Sequence, residues 1–241
     1  MIYVFDLDNT LCATSSSKKY SESIPFLNAI NQVNNLKKEG HYIKIFTARG
    51  SGSGIDWRDL TKQQLLDWGV EYDELILGKP SYDICIDDKS TSAHDWRAKN
   101  GCLITGFVAG AFDLLHAGHC LFLKEAKSVC DYLFVALQTD PTLDEYKDRP
   151  LQQPKNQPVQ SIDERKIQLE ATSYVDKILV YETENDLLNL LKELRPNLRI
   201  LGSEYRNKRA TGEEWSEGVI YHQRTHQWSS SELRGRVNGN Q

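Results

Sequence analysis

FVAGAFDLLHAGHCLF, Phe107 to Phe122, decides the fold of the larger part of this 241-residue chain. The apolar, β-type run LITGFV (Leu103 to Val108) leads into the Gly-rich turn GAFD, and HAGH then opens a helical pattern. A strand, a tight turn and a helix in that order place Gly110 to Asp113 at the carboxyl end of a strand, the usual ligand crevice of a parallel α/β sheet. His116 and His119, three residues apart, share one face of the first helical turn, where unpaired backbone N–H groups attract anions. The stretch reads as a phosphate cradle, a metal site or plain helix packing. A metal needs further ligands, and Cys120, next to His119, projects to a different face.

Outward from this stretch the same rhythm runs both ways. IYVF, IPFLNAINQVNNLKK, YIKIF, TKQQLLDW and DICI alternate strand-like and helix-like runs before it. DYLFVAL, DERKIQLEA, KILV, DLLNLLKEL, LRIL, GVIYH and a helix from about Ser230 follow it. The pattern predicts an α/β chain with two parallel sheets covered by helices, the rhythm restarting after the polar stretch around Asn100. We therefore expect domains at 1–100 and 101–241. Thr139 to Gln160, with four prolines, reads as a long functional loop or flap.

A formal charge of -5 gives no basic excess, which disfavours a nucleic-acid partner held by general electrostatics and favours small anions. Asp6 and Asp8 interrupt the N-terminal apolar stretch that a signal peptide needs, and no apolar run approaches the roughly 18 residues of a membrane span. The expectation is a cytoplasmic protein with no membrane partner. Five cysteines with no CxxC pair fit reduced thiols.

In its second half the sequence resembles the cytidylyltransferase-like nucleotidyltransferases, whose signature is a strand, GxFD and HxGH. SIDERKIQLEATSYVDKILV (Ser161 to Val180), LGSEY (Leu201 to Tyr205) and QRTHQWSSSELR (Gln223 to Arg234) are similar to that family's later motifs. The resemblance implies a Rossmann-like domain in which His116, His119, Arg224, Ser229 and Ser230 contact a triphosphate. It implies further that Gly110, Phe112, Gly202, Glu204 and Tyr205 line the nucleotide pocket. Arg165 would lie near the acceptor phosphate or the β and γ phosphates, with Lys124 or Lys147 assisting. The implied reaction transfers a nucleotidyl group, from CTP in the branch handling glycerol phosphate or from ATP in the branch acting on heptose 1-phosphate, with Mg2+ and in a homodimer. Arg224-Thr225 looks more like the CTP branch. Ala111, the SSS of 229–231 and His226-Gln227-Trp228 depart from the family pattern.

A phosphomonoester, with a second pKa of about 6, is largely dianionic near neutrality and attacks the α-phosphorus without a general base. Charge stabilisation by histidines, Arg224 and a helix N-terminus is what such a site must supply.

FDLDNTLC places Asp6 and Asp8 at i and i+2 on one face of a strand end, and two close carboxylates are retained most easily with a cation or proton between them. The dipeptide alone is equally a turn, since Asp and Asn favour turns. With IFTAR, GKP and ICIDD it resembles the haloacid dehalogenase-like phosphatases, a second Rossmann-like domain. That resemblance implies Asp6 as nucleophile forming an aspartyl-phosphate, Asp8 as acid and base, and Thr47 and Lys79 as phosphate ligands. Asp6, Asp8, Asp87 and Asp88 would hold Mg2+. The segments between these motifs leave no room for a cap domain.

Overall fold

A computed structural model of the chain describes residues 1–15, 19–142 and 156–239. It divides into two compact units, Met1–Leu103 and Ile104–Gln241.

The first unit contains β1 (Ile2–Phe5), β2 (Cys12–Ala13), β3 (Ile24–Pro25), α1 (Leu27–Lys38), β4 (Tyr42–Thr47), α2 (Arg58–Asp67), β5 (Glu74–Leu77) and α3 (Ala93–Lys99). A three-stranded parallel sheet runs β1-β4-β5, with β2 and β3 a small antiparallel pair. Alternation in β4 puts Ile43, Ile45 and Thr47 in the interior, and α1 closes over it with Ala29, Ile30 and Val33. The expected strand DICI is absent: residues 83–86 pair with no neighbour and leave Ile84 and Ile86 exposed. An alternating apolar pattern becomes a strand only where a sheet edge receives it.

The second unit contains β6 (Thr105–Gly110), α4 (Ala117–Ser128), β7 (Tyr132–Gln138), α5 (Ile162–Glu170), β8 (Lys177–Tyr181), α6 (Glu184–Leu194), β9 (Leu198–Gly202), β10 (Gly218–His222) and α7 (Ser230–Val237). All five strands are parallel, in the order β10-β9-β6-β7-β8. The order reverses between β6 and β9, so their carboxyl ends open the crevice where such sheets bind ligands. Phe107, Val108, Leu133, Val135, Ala136 and Ile200 are buried in the sheet. Gly106 leaves the space that Cys130 Sγ and Ile200 fill, at 2.7 and 3.0 Å from where a Cβ would stand.

Local sequence sets the helix ends. Ser161 with Glu164, and Thr183 with Asp186, form reciprocal capping boxes on α5 and α6, each pair satisfying two backbone donors. α6 ends where Arg195 turns left-handed at φ 43°, before Pro196, which disfavours helical backbone in the residue preceding it. No helix among the described residues is long and apolar enough to cross a membrane.

Candidate functional site

The crevice is a cavity of about 510 Å³ at the carboxyl ends of β6 and β9. Gly110, Phe112, His116, His119, Gly202, Glu204, Tyr205, Arg224, Ser229 and Ser230 all line it. These residues come from four separate sequence motifs, and the parallel sheet brings them to one end.

His116 is the N-cap of α4: its Nδ1 accepts from the His119 backbone N–H at 3.4 Å. The His116 and His119 rings stack at 3.9 Å, 19° from parallel. Burial, reinforced by His116 and Arg224 and opposed by Asp113, pushes the His119 imidazole down to about 3. His116 is lowered as well, by burial and then by Arg224 and His226. Both rings are thus neutral near neutral pH, and His119 Nδ1 is buried without a partner among the described residues. Gly118 lies between them because a Cβ there would stand 2.7 Å from His226 and 2.8 Å from the Trp228 carbonyl. The Gly of HAGH is therefore demanded by the segment that crosses α4.

That segment carries the opposite wall. The Arg224 guanidinium donates to the Trp228 carbonyl, His226 stacks on Trp228 at 4.9 Å, and Ser229 caps α7 by accepting from Glu232 N at 3.1 Å. Two helix N-termini, of α4 and α7, thus border one cavity, a favourable field for an anion.

Sequence reasoning passed over Asp113. Buried at 5% exposure, it accepts from Val159 N and Gln160 N, each at 3.0 Å, and from Arg234 of α7 at 2.5 Å. Burial opposes its charge, but these bonds outweigh it and hold the carboxyl below the usual range. Ser230 Oγ also donates to the Asp113 carbonyl at 2.9 Å. The GAFD turn, with Phe112 and Leu114 left-handed at φ 47° and 51°, is thereby tied to α7.

Arg165 is placed differently from the phosphate-binding role expected of it. Its guanidinium is buried and donates to the carbonyls of Gln160, Ser161, Ala111, Gln138 and Thr139, and it is not part of the cavity wall. The donors a phosphate would need are spent on loop backbone. Lys124 is exposed and also outside the cavity wall; Lys147, and 143–155 of the expected flap, lie outside the described residues.

Two further groups in the wall carried no motif. Arg199 of β9 is buried, lies 5.1 Å over the Phe107 ring and donates to the Phe107 carbonyl at 3.2 Å, its guanidinium pushed down to about 10 by burial. His222, the last residue of β10, hydrogen-bonds through Nδ1 to Glu125 of α4. Neither has a local signal, since each partner is set by packing across the sheet.

In the first unit the ends of β1, β4 and β5 gather Asp6, Thr47 and Lys79. Lys79 Nζ pairs with Asp6 Oδ2 at 2.9 Å, and Thr47 is fully buried. Burial opposes the charge on Lys79, but bonds to Tyr82 and Asp6 outweigh it and raise its pKa. Asp8 is taken by Arg49, through Nε at 3.0 Å and Nη2 at 2.8 Å, and by Thr14 Oγ1 at 2.6 Å. Arg49 itself is 2% exposed.

The expected Mg2+ set does not assemble. No group of three or more His, Cys, Asp or Glu residues that could hold a metal comes together among the described residues. Asp87 and Asp88 stand on an exposed turn, where Asp87 accepts from Lys89 N at 2.7 Å, because the strand meant to carry them does not form. These residues, as placed, do not fit a Mg2+ site.

Part of the chain is similar to known proteins. The chain is 35% identical over 113 residues to the bifunctional protein HldE of Campylobacter fetus subsp. fetus, covering 47% of this chain and 23% of that protein. It is 33% identical over 147 residues to HldE of Caulobacter sp. (strain K31), covering 59% and 28%. The chain thus spans about a quarter of the length of these curated relatives. A lipopolysaccharide core biosynthesis protein of Thermoplasma volcanium GSS1 matches at 22% identity and TM-score 0.35, covering 57% of this chain and 88% of that one. Residues 107–236, from the heart of β6 to the end of α7, match the cytidylyltransferase-like family, and the chain belongs to that family.

Proposed function

We propose that the second unit transfers a nucleotidyl group from a nucleoside triphosphate to a small phosphomonoester, releasing pyrophosphate. The observation that carries this is the cavity walled by the stacked His116 and His119 at one helix N-terminus and by Arg224 and Ser229 at another. The acceptor phosphate oxygen attacks the α-phosphorus as the bond to the β-phosphate oxygen breaks, and the imidazoles and Arg224 donate to the oxygens on which charge builds. Mg2+ would enter as the triphosphate complex. Between the two branches, the HldE relatives favour adenylyl transfer to heptose 1-phosphate over cytidylyl transfer to glycerol 3-phosphate.

The test is pyrophosphate release from each of four nucleoside triphosphates paired with a panel of phosphomonoesters. Turnover with ATP and a heptose 1-phosphate is expected. Preference for CTP and glycerol 3-phosphate overturns the choice of branch, and no release with any pair overturns nucleotidyl transfer.

For the first unit we propose phosphate-ester hydrolysis. The Asp6–Lys79 pair beside Thr47 supports it: Asp6 would attack phosphorus with loss of the ester alcohol, Lys79 would offset phosphoryl charge, and water would then release phosphate.

A further inference from the structure

We infer that Glu184, backed by the buried Arg199, selects the acceptor by receiving the hydroxyl groups of a neutral polyhydroxylated body, so that the phosphomonoester is a sugar phosphate. The inference rests on the reading that the cavity performs nucleotidyl transfer. Besides the phosphate cradle, the cavity wall includes Tyr181, Glu184, Leu187, Arg199, Ala210 and Thr211. Successive strand residues point to opposite faces of a sheet. In β6, Gly106 faces Cys130, just past α4, together with Ile200, whereas Phe107 packs against Leu187 and Leu191 of α6. Arg199 stands opposite Phe107 in the register and shares the α6 face. Glu184 and Arg199 are therefore on the side of the sheet away from α4, whose N-terminus carries the histidines. That position suits the acceptor. Displacement at the α-phosphorus is in line, so the attacking oxygen enters opposite the leaving pyrophosphate. With the pyrophosphate held by His116, His119, Arg224 and Ser229, the acceptor enters from the α6 side.

The wall there mixes charges of both signs. Burial pushes the Arg199 guanidinium down to about 10, opposed by Tyr181, Tyr205, Glu184 and Glu213, so it is a cation near neutral pH. Glu184, half-buried in the first turn of α6, accepts from the Thr211 hydroxyl. A carboxylate offers two oxygens and about four lone-pair sites, so it can take further hydrogens beside that one. Arg199 opposes a cationic head group, and Glu184 with Glu213 opposes a second anion. An alkyl body would strip water from the Glu184 carboxylate and return nothing for it. Hydroxyl groups, neutral and able to donate, meet all three conditions.

Two measurements on the full chain test this. Calorimetry reads nucleotide binding, and pyrophosphate release with the best-bound nucleoside triphosphate reads kcat/KM for four acceptors: heptose 1-phosphate, a bisphosphate of the same heptose, cyclohexyl phosphate and phosphocholine. The wild type is expected to favour heptose 1-phosphate over each of the others by at least about tenfold, the scale of a hydrogen bond to a charged group. Glu184→Gln removes the charge and one acceptor oxygen. The ratio of heptose 1-phosphate to cyclohexyl phosphate should then fall about tenfold through the KM of the sugar phosphate, and the bisphosphate should gain on the monophosphate. Nucleotide KM should stay within about twofold, whereas a purely structural role would move every substrate together. Thr211→Val, which removes the hydroxyl that donates to Glu184, should lower the same ratio and decides the matter if Glu184→Gln does not fold. A preference for phosphocholine, the bisphosphate or cyclohexyl phosphate overturns the inference alone, as does a sugar preference that survives in the folded variants. So does a rise in nucleotide KM with acceptor KM unchanged, which would give Glu184 to the ribose. Nucleotide binding without turnover of any acceptor overturns nucleotidyl transfer, and failure of every nucleotide to bind overturns the nucleotide reading of the cavity; the inference falls with either.

Discussion

His119 concentrates the chemistry of the second unit. With its imidazole held down to about 3 by burial, it must gain a hydrogen bond or a proton from the arrival of a polyanion. Binding of triphosphate is therefore expected to take up protons and to tighten as pH falls from 8 to 6, which calorimetry in buffers of different ionisation enthalpy measures; binding without proton exchange contradicts it. The sign for stability is opposite. Because the folded-state pKa lies below the ordinary value near 6.5, the contribution is fully present above about pH 6.5 and is lost as pH falls toward 3. Removing the ring by His119→Ala should lower turnover by about 10²-fold, as loss of one well-placed donor does, while the melting temperature is kept. A folded variant with unchanged turnover would take His119 out of the reaction. Release of a stoichiometric zinc with loss of folding would restore the metal reading of HAGH.

At the scale of elements, the site depends on how the 223–229 segment lies across α4. Gly118→Ala puts a methyl group against the Trp228 carbonyl and the His226 ring. The segment must shift, carrying Arg224 and Ser229 with it, so a rise in the nucleotide KM of about tenfold or more is expected, with a stability loss of roughly 1–3 kcal/mol typical of overpacking. Steady-state kinetics and a denaturant melt check both; an unaltered KM would show that the segment is free to move. The strand and helix runs were legible because their apolar periods are local. DICI shows the converse, since its alternation is strand-like but no neighbouring edge pairs with it.

Across the whole molecule, two units with separate sheets predict separable activities. Asp6→Asn should abolish phosphate-ester hydrolysis and leave nucleotidyl transfer within about twofold, because Asp6 belongs to the first sheet and its partner Lys79 is in the same unit. Parallel assays of both reactions on one preparation decide it, and loss of both in a folded protein would refute independence. The amino-acid sequence by itself determined the parallel α/β architecture and the division near residue 100, both resting on local apolar periods and turns that precede any tertiary contact. That His116, His119, Arg224 and Ser229 belong to one site was implied by the resemblance of their motifs to a family, not by periodicity. Tertiary structure alone decided which polar groups meet. It turned Arg165 onto loop carbonyls, Arg49 onto Asp8 and Glu125 onto His222, and it left Asp87 and Asp88 outside a metal cluster. The physical reason is that a charged side chain several bonds long can satisfy itself on any partner that packing brings within about 3 Å, and sequence spacing does not encode that partner.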